Sequence, residues 1–311
     1  MATVCITSEF FGKFSGRGRE ILVEAGHAVV DNPFGRFLAT PDILSFVGPA
    51  QALVCDLEKI SKEVMDAAPR LGIVSRRGVG VDSVDLEEAK RRGIVVARTL
   101  GLVEKPVADL VLAYVLEFAR HLREGDATMK AGRWEKVLGM GLEGKVLGIV
   151  GLGAIAAEVV RRAKAFGMEV VYYDVARQEE KERALGVAYL PLDELLAGSD
   201  FVSLHLPLLP ETRGMFGYER FARMKPTARF INTARGAVVD EAGLARALHE
   251  GRIAGAAIDV FDVEPKTDSP LRDAPNALLT PHVATFTRET FIAMDIRAAE
   301  NIVAHFKGRK E

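Results

Sequence analysis

Apolar, often β-branched runs alternate with stretches of helical periodicity along almost the whole chain. Val4–Thr7, His27–Val30, Ala52–Cys55, Gly72–Ser75 and Ile94–Ala97 read as strands. Between them Arg17–Ala25, Pro41–Phe46, Ser61–Ala68 and Asp85–Arg92 read as helices, with Pro41 suited to a first helical position and Ser61 to an N-cap. Such alternation predicts parallel sheets with right-handed crossovers. The rhythm breaks at Pro106–Leu122, a helix with few polar positions. A helix apolar on nearly all sides needs burial on nearly all sides, which places it between two domains. A second series follows, with strands at Lys145–Val150, Glu169–Tyr173, Phe201–His205, Arg229–Asn232, Gly255–Asp259 and Leu278–Thr280. Its helices fall at Ala154–Phe166, Leu192–Ala197, Tyr218–Met224 and Glu241–His249. Phe286, Phe291, Ile292, Ile296, Ala299, Ile302, Val303 and Phe306 then mark one apolar face of a last helix, expected to return to the first series. The predicted class is α/β: two doubly wound parallel-sheet domains, a discontinuous one from residues 1–99 and 286–311 and another from 100–285.

Composition narrows the function classes. Lys plus Arg number 41 and Asp plus Glu 43 among 311 residues, a formal charge of −2. A near-neutral chain has no broad electrostatic footprint for nucleic acid or an anionic membrane, so neither is expected as a partner. Cys5 and Cys55 each sit in an apolar run and read as buried free thiols in a reducing cytosol, with no disulfide and no metal site. The N-terminal residues lack the basic and apolar segments of a signal peptide, and no apolar run approaches the roughly 18 residues of a membrane span. A cytoplasmic location is the expectation.

The sharpest local signal is Val146-Leu147-Gly148-Ile149-Val150-Gly151-Leu152-Gly153-Ala154-Ile155-Ala156. Gly151 permits a tight turn after a buried strand, and Gly153 lets backbone amides approach a pyrophosphate at the positive end of the next helix. Ala156 keeps the third position small. Asp174 ends the following strand 21 residues after Gly153, where a carboxylate accepts both ribose hydroxyls of NAD and repels the extra phosphate of NADP. Arg177 stands close enough to weaken that preference. In open parallel sheets ligands sit beyond the carboxyl ends of strands. Those ends carry Thr233-Ala234-Arg235-Gly236, Phe261-Asp262-Val263-Glu264-Pro265 and Pro281-His282-Val283-Ala284. A guanidinium pairs with a carboxylate or polarised carbonyl, a histidine exchanges protons near neutrality, and a glutamate orients it. Singly, each is an ordinary turn or surface residue; their joint placement makes them catalytic candidates.

Gly151-Leu152-Gly153-Ala154-Ile155, Thr233-Ala234-Arg235-Gly236, the run Asp259–Pro265 and Thr280-Pro281-His282 resemble, in order and spacing, the D-isomer-specific 2-hydroxyacid dehydrogenases, over essentially the whole chain. Gly78-Val79-Gly80-Val81-Asp82, Met129-Lys130-Ala131-Gly132-Arg133-Trp134 and His205-Leu206-Pro207 look most like the 3-phosphoglycerate dehydrogenase branch. The resemblance implies a Rossmann-type NAD domain and a smaller flavodoxin-like substrate domain. It also implies hydride transfer between NAD and C2 of a 2-hydroxy or 2-keto acid, with 3-phosphoglycerate first and a hydroxypyruvate or glyoxylate reductase second. His282 would be the acid/base and Glu264 its partner; Arg235, Arg76 and the amides of Val79 and Gly80 would hold the substrate. Implied at NAD are Gly151, Gly153, Ala154, Ile155, Asp174, Leu206, Thr233, Ala234, Arg235, Asp259, His282 and Ala284. Helices around Leu102–Leu122 and the Trp134 segment would form a homodimer interface.

Several positions depart from that pattern. Cys55-Asp56 stands where the branch prefers a cation, and Thr99-Leu100-Gly101-Leu102-Val103 replaces an asparagine-rich loop. Arg77 and Lys105 add cations near Arg76, so a second anionic group on the substrate stays open. With the sequence ending at residue 311, a C-terminal regulatory extension is not expected. An alternative of another class, an NAD-sensing corepressor-like binding module, shares these site residues and is separated from an enzyme only by assaying turnover.

Overall fold

Every strand pairing among the described residues is parallel. The computed structural model describes residues 1–308. The first series forms β1 (Thr3–Ile6), β2 (Ala28–Val30), β3 (Ala52–Cys55), β4 (Ile73–Arg76) and β5 (Val95–Arg98), with α1 (Arg17–Glu24), α2 (Thr40–Leu44), α3 (Lys62–Ala67) and α4 (Leu86–Arg91) between them. The sheet order is β2-β1-β3-β4-β5, with the winding direction reversing between β1 and β3. β3 is buried on both faces because successive side chains point oppositely. Leu53 and Cys55 pack with Ile43, Val64 and Met65, whereas Ala52 and Val54 pack with Leu22, Ala298 and Ile302.

The second series begins with α5 (Glu104–Arg120) and α6 (Leu122–Lys130). Then come β6 (Val146–Val150), α7 (Ala154–Ala165), β7 (Glu169–Tyr173), α8 (Glu179–Leu185), β8 (Ala188–Tyr189), α9 (Leu192–Gly198) and β9 (Phe201–Leu204). It closes with α10 (Tyr218–Phe221), β10 (Arg229–Asn232), α11 (Glu241–His249), β11 (Gly255–Ile258) and β12 (Ala277–Leu279). The order β12-β11-β10-β9-β6-β7-β8 is that of a doubly wound dinucleotide-binding sheet, reversing between β6 and β9. The final helix, α12 (Arg288–Lys307), packs on α1 and β4. By contact density the chain divides into Met1–Val103 with the segment from Thr285 onward, and Glu104–Ala284.

Local chemistry adjusts several elements. α2 begins at Thr40, so Pro41 is its second residue, and the Asp42 carboxylate accepts the Ala39 N–H at 3.0 Å. Ser61 occupies the N-cap of α3 without a side-chain capping bond, whereas Asp85 caps α4 by accepting the Glu88 N–H at 3.0 Å. The helix expected to be buried on nearly all sides has an outer face. Val107, Val111, Val115 and Phe118 of α5 are buried, the last three in one core with Val159 and Val160 of α7, while Asp109, Ala113 and Arg120 on the opposite face are exposed. α8 was not anticipated because it buries no residue and so has no apolar stripe.

One polar cluster lies inside the first unit. The Arg77 side chain, expected as a further substrate-side cation, is fully buried. Its Nε donates to Asp295 of α12 at 2.7 Å, and its Nη1 donates to Asp56 at 2.6 Å and to Ser8 Oγ at 3.0 Å. The second Asp295 oxygen accepts the Gly12 N–H at 2.9 Å, and the guanidinium lies over the Phe291 ring at 4.9 Å. Burial and Asp295 together thus determine that Arg77 is structural. Replacing Asp295 by alanine strips a buried cation of one of its counter-charges, which typically costs about 3–5 kcal/mol. Urea unfolding of Asp295→Ala is expected to show a loss of that order; an unchanged midpoint would contradict the assignment.

Candidate active site

Three loops leave the carboxyl ends of β10, β11 and β12, and hydrogen bonds hold them together. Asn232, the fully buried last residue of β10, accepts the Ala234 N–H on Oδ1 and donates from Nδ2 to the Arg235 carbonyl, both at 3.0 Å. These bonds fold Thr233–Arg235 into a fixed turn, and Arg235 Nη1 donates to the Ala234 carbonyl at 2.6 Å. The next residue must be glycine: a Cβ on Gly236 would lie 1.8 Å from the Phe261 carbonyl carbon. The arginine loop therefore packs backbone to backbone on the loop after β11. There the Phe261 N–H donates to Glu264 Oε1 at 2.9 Å, leaving Oε2 to meet His282 Nδ1 at 2.6 Å.

The histidine loop is anchored chiefly on Asp259, with the Thr280 carbonyl also accepting the His282 N–H at 3.1 Å. His282 has φ of 53°, a left-handed conformation that costs about 1–2 kcal/mol for an L side chain. Its N–H donates to the Asp259 carbonyl at 2.8 Å, the Val283 N–H to Asp259 Oδ1 at 2.8 Å and the Ala284 N–H to Oδ2 at 2.9 Å. Asp259 is fully buried, and burial pushes its carboxyl up, opposed by those donors and by His282. With Nδ1 held by Glu264, the imidazole presents Nε2 for proton exchange. Arg235, Glu264 and His282, dispersed in sequence, so arrive at one end of one sheet.

The glycine turn lies beyond β6. Gly151 has φ of +93°, and a Cβ there would stand 2.8 Å from the His205 carbonyl oxygen and 3.0 Å from Leu206 Cδ2. His205 is partly buried, and desolvation lowers it to about 4, so it is neutral. Gly153 caps α7 without a side-chain bond, nothing lies within 4 Å of where its Cβ would be, and the exposed Ala154 and half-buried Ile155 open the helix. Asp174, just past β7, accepts the Leu152 N–H at 2.9 Å and the Val175 N–H at 2.8 Å. Thr233 Oγ1 is buried with no hydrogen-bond partner. An open helix start, a carboxylate on the glycine turn and an orphaned hydroxyl fit a dinucleotide; Leu206 and Ala284 are both buried.

In the first unit, Arg76 ends β4. Its guanidinium lies against Gly78, where φ is +136° and a Cβ would overlap Nη1 at 1.8 Å. Gly78 donates to Thr99 Oγ1 at 2.7 Å. The amides of Val79 and Gly80 have no acceptor among the described residues. Lys105 is exposed on the first turn of α5. Among the described residues no group of three or more metal-binding side chains occurs, and no helix is long and apolar enough to cross a membrane.

Residues 112–284 match the NAD binding domain of the D-isomer specific 2-hydroxyacid dehydrogenases. The chain belongs to this family. A glyoxylate reductase from Korarchaeum cryptofilum is 46% identical over 274 residues, covering 86% of this chain and 82% of that protein. A D-3-phosphoglycerate dehydrogenase from Sus scrofa is 40% identical over 294 residues, 94% of this chain and 55% of that protein. A solved structure from Thermus thermophilus superposes with a TM-score of 0.89 at 40% identity, covering 98% of this chain and 97% of that one. The protein is thus an NAD-dependent 2-hydroxyacid dehydrogenase. The sequence places Asn232 at a strand end and Gly236 in the arginine motif without giving either a role, although an asparagine closing a strand before a polar turn is a recognisable signal for a side-chain clamp. Gly236→Ala drives a Cβ into the Phe261 backbone, an overpacking worth about 1–3 kcal/mol. The dehydrogenase is expected to lose roughly 10-fold or more in kcat/KM together with thermal stability; wild-type values of both would show that the two loops need not touch.

Proposed function

We propose that this dehydrogenase reduces a small, unphosphorylated 2-keto acid of the glyoxylate or hydroxypyruvate kind. The observation that carries this reading is the end of β3. Cys55 is fully buried, and Asp56 is engaged by Arg77, itself shared with Asp295, so a strand end that would serve a second anion presents carboxylate instead. Sequence alone ranks 3-phosphoglycerate first; these side chains favour the reverse order. The phosphorylated substrate remains the second reading, supported by Arg76 and by the mammalian relative.

In this proposal Arg235 holds the substrate carboxylate and carbonyl, helped by Arg76 and the amides of Val79 and Gly80. Protonated His282 delivers its Nε2 proton to the carbonyl oxygen while Glu264 stabilises the imidazolium and keeps the ring oriented. NADH, when bound, supplies the hydride that C2 receives. Amides at Gly153, Ala154 and Ile155 take its pyrophosphate beside Gly151, and Asp174 takes the adenosine ribose. Leu206, Thr233, Ala234, Asp259 and Ala284 line the remainder. Arg177, which could have met a 2′-phosphate, is held by Glu182 through bonds of 2.8 and 2.9 Å, in keeping with NAD over NADP. We also propose a homodimer, because Leu122, Met129, Trp134 and Leu138 are exposed, the last two at 80% and 94%.

NADH oxidation with glyoxylate, hydroxypyruvate, pyruvate and 3-phosphohydroxypyruvate tests the reading. The unphosphorylated acids are expected to exceed the phosphorylated one by about 10-fold or more in kcat/KM, the scale of one unpaired charge contact; the opposite order overturns the choice of substrate. In the same assay His282→Ala is expected to lower kcat by about 10²–10⁴-fold while NADH affinity persists, and unaltered turnover would remove His282 from the chemistry.

A further inference from the structure

We propose that Tyr114, within α5, is a positioning residue for the acid/base histidine, acting through Thr280 and Asp259; this rests on the role given to His282 above. Asp259 receives three consecutive amides: that of His282 on its backbone carbonyl, shared with the Thr280 carbonyl at 3.1 Å, and those of Val283 and Ala284 on its carboxylate. A carboxylate that must meet two of those amides at once needs a fixed rotamer. Its Oδ1 accepts the Thr280 hydroxyl at 2.5 Å, and Thr280 Oγ1 lies 2.5 Å from the Tyr114 hydroxyl. A threonine hydroxyl owns one proton, and an ionised carboxylate can only accept. Thr280 therefore donates to Asp259 and Tyr114 donates to Thr280, which fixes the direction of the chain.

Tyr114 is 3% exposed, and burial together with the Asp259 charge raises its hydroxyl well above the usual tyrosine range, so it remains a donor wherever the enzyme works. The ionisable groups facing Asp259 are Tyr114 from α5 and His282 from the adjoining loop, with Glu264 beyond the imidazole. Removing the phenol proton donor leaves Thr280 competing for another partner and loosens the carboxylate that holds the two amides following the left-handed histidine. The consequence falls on the proton-transfer step, since neither Tyr114 nor Thr280 need touch substrate.

The test is a set of purified full-length variants: Tyr114→Phe, Thr280→Val, Thr280→Ser, the Tyr114→Phe/Thr280→Val double variant and His282→Ala. Each is measured for kcat and KM, the pH profile of kcat/KM, NADH affinity by fluorescence, and thermal midpoint. Loss of one buried hydrogen bond sets the scale at about 3- to 10-fold. Tyr114→Phe is expected to lower kcat by that factor, displace the pH profile and leave KM and NADH affinity unchanged. Thr280→Val should be at least as impaired, Thr280→Ser should recover most of the loss, and the double variant should be no worse than Thr280→Val. Full kcat and an unmoved profile in Tyr114→Phe, or additive losses in the double variant, would overturn the relay, as would a fall in thermal midpoint alone. If His282→Ala keeps full turnover, it is the role of His282 that fails, and the relay with it.

Discussion

A buried carboxylate at the end of β11 is the constraint on which the site depends. Asp259 gathers three successive amides of the histidine loop and so holds His282 in a conformation that its own backbone disfavours. Burying the charge is unfavourable, and saturating it with donors offsets that penalty. Without that anchorage, Glu264 would have no fixed ring to orient. The second contact, Gly236 against Phe261, ties the arginine loop to the same frame. Positions that look like independent loop residues therefore behave as one unit.

The two sheets use a common architectural rule for different ends. In the second unit the loops after the strands carry Arg235, Glu264 and His282, and the turn after β6 carries Gly151 and Gly153. In the first, the reversal between β1 and β3 is filled by Ser8, Asp56 and Arg77, with Asp295 of α12 closing the group from behind. That cluster ties α12 to the ends of the first unit's strands through a buried guanidinium.

Much of the fold was legible because fully buried parallel strands read as continuous apolar runs, β3, β6 and β9 among them. The glycine turn was legible because its residue types answer steric demands: at Gly151 a Cβ meets a neighbouring backbone oxygen. α6 and α8 were not, since they bury at most one residue each and are short segments with few apolar positions. Arg77 read as a second cation beside Arg76, because its partner Asp295 lies 218 positions away in a helix judged only by its apolar face. Tyr114 was hidden for the opposite reason. Inside an apolar helix its ring counts as core, and only the position of its hydroxyl beside Thr280 reveals another use. Long-range polar pairing is what a single sequence conceals.

The most direct measurement is a crystal structure of the enzyme with NAD and oxamate, an unreactive isostere of a 2-keto acid. The oxamate carboxylate is expected on the Arg235 guanidinium and its amide-side carbonyl oxygen within about 2.6–3.2 Å of His282 Nε2, with Glu264 still on Nδ1. Oxamate bound away from these side chains, or an imidazole turned so that Nε2 faces Glu264, would contradict the central claim that the strand-end arginine, glutamate and histidine perform the reaction.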